Sequence, residues 1–134
     1  MLSSDEFAQW STDYVAFLHV TTRVETDKYQ GLLKEKGFRG FPSLAFMDEA
    51  GSIIAKHAGP RTLDGLNGTA TAAGEYIDLR AKAASGDATA QAALFVKDLQ
   101  IGRYGHDEGT KKLAEFANDL PAATVAQAEA ILVD

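Results

Sequence analysis

Residues 37–59, GFRGFPSLAFMDEAGSIIAKHAG, constrain the fold of this chain more than any other stretch. Gly37 to Gly40 read as a turn, Phe41-Pro42 as an X-Pro bond, and 43–47 as an apolar run short enough for a buried strand. Asp48-Glu49-Ala50-Gly51 supplies hairpin-turn residues, and 52–58 reads as a second strand antiparallel to the first.

Upstream, Ser3 and Glu6 form a capping-box pattern, with Phe7 and Trp10 on one helical face, so 3–11 is expected to be a short helix. Residues 14–20 are apolar on both alternations: Tyr14, Ala16, Leu18 and Val20 on one side, Val15 and Phe17 on the other. A strand of that kind belongs inside a sheet with helices above and below. A second capping box, Thr22 to Glu25, opens an expected helix through about Lys36, with Tyr29, Leu32 and Leu33 as its buried stripe and Gly37 at C′. Strand, helix, strand in that order predicts a right-handed βαβ crossover with parallel strands.

Beyond the turn Gly59-Pro60-Arg61-Thr62 every segment reads as helix. The first starts at Leu63, is expected to break near Asn67-Gly68, and resumes to about Ala84; others follow over 88–101, 107–118 and 122–132. Short connections imply antiparallel neighbours, a helical hairpin array. The expected division is therefore an α/β domain over 1–67 and a helical extension over 68–134.

Composition excludes several functions. A net charge of −6 leaves no basic stripe for nucleic acid. No apolar run approaches the roughly 18 residues a membrane span needs, and no signal-peptide pattern opens the chain. A soluble, cytoplasmic protein is expected. With no cysteine, these 134 residues have no disulfide, thiolate metal site or thiol chemistry.

The spacing of Pro42, the Asp48–Gly51 turn and Gly59 resembles the C-terminal half of a thioredoxin-like domain, with Pro42 where that family has its cis-proline. The resemblance covers about residues 3–66. It implies a truncated thioredoxin-like fold, a β-α-β-β-α core with a small mixed sheet, followed by the helical extension. The family's CxxC motif, first strand, first helix and second strand have no counterpart here. In that family the missing second strand lies between the strands matched by 14–20 and 43–47. Each orphaned edge group costs about 1–3 kcal/mol when buried, so the gap must close. Pairing of 14–20 with its symmetry mate predicts an isologous dimer, with Tyr14, Val15, Phe17 and Leu18 at the sheet edge. The alternatives are direct pairing of 14–20 with 43–47, or a missing half upstream carrying the CxxC of a thiol-disulfide oxidoreductase. A glutathione-transferase-like enzyme is a further alternative, although its glutathione site needs an N-terminal strand and helix that are absent.

The expected function is protein binding and self-assembly without redox chemistry. Phe41, Pro42 and Ser43 are the candidate groove for a protein or peptide segment, as the resemblance implies. His19, His57 and His106 lack metal-site spacing, and no metal or other cofactor is expected. Asp5-Glu6, Asp48-Glu49 and Asp107-Glu108 fall at helix starts or a turn, where dipole and turn chemistry explain them, so no catalytic residue is assigned. Gly65, Gly68 and Gly74 are expected to mark a kink or close helix packing.

Overall fold

The computed structural model describes residues 1–20 and 28–133. The chain opens with α1 (Asp5–Trp10), capped by Ser4 rather than Ser3: the Ser4 hydroxyl accepts from the Phe7 amide at 3.2 Å. A 3-10 turn, Ser11–Asp13, follows. Tyr14 is extended, and 15–20 belong to no strand or helix. Next come α2 (Leu32–Glu35), β1 (Ala45–Met47) and β2 (Ile53–Lys56). Four longer helices complete the chain: α3 (Leu63–Ala84), α4 (Ala88–Gln100), α5 (His106–Phe116) and α6 (Ala122–Val133), with a 3-10 turn at Ala117–Asp119 between the last two.

The expected hairpin forms. Ala45 pairs with Lys56, Phe46 with Ala55 and Met47 with Ile53, an irregularity between Phe46 and Met47 absorbing one residue. The Asp48 carboxylate closes the turn, accepting from the amides of Ala50 at 3.0 Å and Ser52 at 2.9 Å.

The expected α/β core does not form. Helix makes up 59% and strand 6% of the described residues, and the one sheet is this two-stranded antiparallel hairpin. Residues 14–20 pair with neither strand, so the truncated thioredoxin-like sheet and its parallel βαβ crossover are overturned. The physical reason lies in the segment's own pattern. A strand apolar on both faces needs partners on its edges and layers above and below it. Among the described residues, the hairpin offers it no ladder, and the only helix described between Tyr14 and β1 is the single turn α2. The capping box at Thr22 falls outside the described residues. The helix expected through about Lys36 is present in its described part only as α2, since 28–31 form a turn, and of the expected stripe Leu32 and Leu33 are half-buried while Tyr29 is exposed. Gly37 follows the end of α2 at φ 71°, as a C′ glycine should.

The expected break at Asn67-Gly68 is also absent, since α3 runs unbroken for 22 residues. Its first turn is secured by the Thr62 hydroxyl, which accepts from the Gly65 amide at 3.1 Å. One face of α3 then packs on the hairpin, where Ala73 and Tyr76 meet Ile54 and Ala55, with Phe46, Leu94 and Ile101 around them. The gain from that burial outweighs the roughly 1 kcal/mol that a mid-helix glycine costs. Helix α4 lies between two clusters. It contacts α3 on one side and α5 and α6 on the other. There Phe95, Val96, Leu99, Leu113 and Ala128 form the second core.

A buried polar relay joins the two halves. The Tyr76 hydroxyl on α3 donates to Asp98 Oδ1 on α4 at 2.6 Å. Arg103 approaches the same oxygen through Nε at 3.0 Å and donates through a terminal nitrogen to the Ile53 carbonyl at 2.6 Å. Arg80 on α3 pairs with the Asp48 carboxylate at 2.8 Å. Hairpin, α3 and α4 are thus held by charge-assisted bonds as well as by packing.

Candidate binding site

Two surface features emerge near the N-terminus, both positioned by one aromatic cluster. Trp10 packs against Tyr14 with ring centres 4.6 Å apart and planes tilted by 33°, and Phe46 of β1 meets Tyr14 edge-on at 5.4 Å. The Trp10 indole N–H donates to the Asn67 side-chain carbonyl on α3. These contacts pin 1–14 to the hairpin and to α3.

The first feature is the segment that departs from the cluster. Val15 is 99% exposed, Leu18 83% and Phe17 61%, with Val20 also more than half exposed and Tyr14 partly so. No Asp, Glu, Lys or Arg lies within 14–20. Of the residues expected at a sheet edge, Val15, Phe17 and Leu18 therefore stand exposed and outside any sheet, while Tyr14 packs into the aromatic cluster.

The second is an open cleft of about 580 Å³ lined by Met1, Leu2, Ser3, Pro42, Leu44 and Arg61. The Phe41-Pro42 peptide is cis. Of the expected groove residues, Pro42 lines the cleft, while Phe41 points mostly to solvent and the Ser43 hydroxyl donates to the Gly40 carbonyl at 2.6 Å. Arg61 is the lining residue that sequence reading misses. It sits in the turn before α3, and its guanidinium donates to the Pro42 carbonyl at 3.4 Å, across 19 residues. The hairpin's return brings the two together, and no local pattern in the sequence marks that meeting.

His57 is bracketed by Thr69 and the Pro60 carbonyl, at 2.7 and 3.0 Å, and His106 donates to the Leu132 carbonyl at 2.7 Å. Asp5-Glu6 and Asp107-Glu108 occupy the first turns of α1 and α5. No group of three or more His, Cys, Asp or Glu among the described residues is placed to hold a metal. No helix among the described residues is long and apolar enough to cross a membrane.

Burial and relay contacts shift three acidic groups. Desolvation, reinforced by the bond to Asp98, pushes the Tyr76 phenol up to about 12. Desolvation also raises Asp98, against the opposing pull of Tyr76 and Arg103. The Arg80 bond, helped by the Ser52 amide, lowers Asp48. All three belong to the structural relay and lie away from the cleft.

No family model matches the chain, and comparisons with curated proteins and with solved structures likewise find no match.

Proposed function

We propose that this protein works by binding rather than by catalysis, and that it self-associates through residues 14–20. The supporting observation is the contiguous exposed run of Val15, Phe17, Leu18 and Val20 in a chain that otherwise carries a net charge of −6. Uncovered apolar runs of this kind mark interaction surfaces.

A second copy suits the run because an uncharged apolar strip is complementary to itself, as a two-fold contact requires. Magnitudes agree with that reading. Burying an aliphatic or aromatic side chain gains about 1.5–3 kcal/mol, so four such residues from each of two copies gain roughly 12–24 kcal/mol as an upper bound. Association costs an estimated 4–15 kcal/mol. Micromolar affinity needs a net gain of about 8 kcal/mol, which the upper part of the burial range supplies and the lower part does not. Strand pairing of the two segments across the axis would satisfy their backbone groups at the same time.

Sedimentation equilibrium tests this directly. The wild-type chain should show twice the mass of one chain at micromolar concentration, and the double variant Phe17→Glu, Leu18→Glu should remain monomeric with an unchanged circular dichroism spectrum. A wild-type chain that stays monomeric, or that acquires mass only with a different protein, overturns the homodimer.

A further inference from the structure

We infer that the cleft beside Pro42 binds a small apolar carboxylate, with Arg61 taking the carboxylate and Met1, Leu2, Pro42 and Leu44 taking the tail. This goes beyond self-association and uses a different part of the surface.

Three observations lead to it. The cleft volume, about 580 Å³, falls within the usual small-molecule range of about 300–1,000 Å³. Its walls are apolar apart from Ser3 and Arg61, the sole charged side chain lining it. Arg61, unlike Arg80 and Arg103, forms no ion pair among the described residues, and its one hydrogen bond is the long 3.4 Å contact to the Pro42 carbonyl. A guanidinium is always charged at neutral pH and offers a planar fork that suits a carboxylate. A guanidinium with no ion pair among the described residues, lining an apolar cleft, suits a ligand with one anionic end and a hydrocarbon body.

The backbone favours a ligand without amides. Pro42 has no N–H, its carbonyl accepts from Arg61, and the Leu44 carbonyl accepts from the His57 amide at 2.9 Å. An extended peptide laid here would find no N–H at Pro42 and two carbonyls already accepting bonds, so it would gain less from main-chain pairing than at an open strand edge. An aliphatic acid has no such groups to satisfy.

Calorimetric titration with decanoate below its micelle concentration is the test, with 1-decanol and decyltrimethylammonium as controls and methyl chemical shifts to locate the ligand. Decanoate should bind at one site per chain, shifting the methyls of Met1, Leu2 and Leu44. Arg61→Gln should weaken it about tenfold or more, and Arg61→Lys by less, since charge is kept but the fork is lost. The Phe17→Glu, Leu18→Glu variant should bind as the wild type does, which separates this site from the association surface. Equal binding of decanol, equal binding by Arg61→Gln, shifts centred on 14–20, or tighter binding of a short apolar peptide than of decanoate would each overturn the assignment.

Discussion

Tyr76 shows how one side chain can tie a hairpin to a helical bundle. Its ring is buried between β2 and α4, and its hydroxyl reaches the carboxylate of Asp98. The Arg103 guanidinium lies 5.6 Å from the same ring. Ionising the phenol would place a second negative charge against Asp98 in a dry site, so the folded state holds the proton up to about pH 12, against an ordinary value of 10.0. The sign of the linkage follows. A group whose folded pKa is raised stabilises the fold fully below its unfolded pKa and loses that contribution as pH rises through the folded value. Wild-type stability in urea should therefore fall from about pH 10 upward with one extra proton released on unfolding. Tyr76→Phe should lose that one-proton slope. The variant should also be less stable at pH 7 by about 1–2 kcal/mol, because a hydrogen bond to a buried carboxylate is lost. Matching slopes in the two proteins above pH 10 would refute this account of the relay.

At the level of elements, α3 separates two glycines that look alike in sequence. A methyl group added at Gly65 would collide with the Pro60 backbone carbonyl and crowd His57, whereas one added at Gly68 meets nothing within 4 Å. A backbone carbonyl in a tight turn cannot swing aside as a side chain would. Gly65→Ala should destabilise by about 1–3 kcal/mol through overpacking, outweighing its gain in helix propensity. Gly68→Ala should stabilise by up to about 1 kcal/mol, and thermal melts of both variants read the opposite signs. The first helix, the later helices and the hairpin were legible because each carries a local signal: a cap, a period, a turn residue. Thr62 and Asp87 cap α3 and α4 through their own side chains, and Asp48 organises its own turn. Residues 14–20 also carry a strand signal, but a strand exists only through partners, and alternation cannot show whether any are present. The turn residues Asp48–Gly51 marked one hairpin, and the wider sheet expected around it is absent among the described residues. Arg61 was illegible for a related reason, because its place in the cleft depends on a return of the chain and on no pattern of its own.

For the whole molecule, the decisive tension is between an apolar strip that gains by being covered and a net charge of −6 on each copy. Two copies in contact bring like charges together, and that repulsion is long-ranged at low ionic strength. The Debye length is about 30 Å at 0.01 M salt and about 8 Å at 0.15 M. The strip itself contributes no Asp, Glu, Lys or Arg, so salt has no interfacial ion pair of theirs to weaken and acts chiefly by screening the remainder of each surface. The proposed self-association should accordingly tighten at pH 7 as sodium chloride rises from 0.01 to 0.15 M, by about threefold to tenfold, the size expected when about 1 kcal/mol of exposed-charge repulsion is removed. An interface built on salt bridges would loosen over the same range. Sedimentation equilibrium at the two salt concentrations distinguishes them: a dissociation constant that rises with salt would place the contact on charged residues and away from Val15, Phe17, Leu18 and Val20.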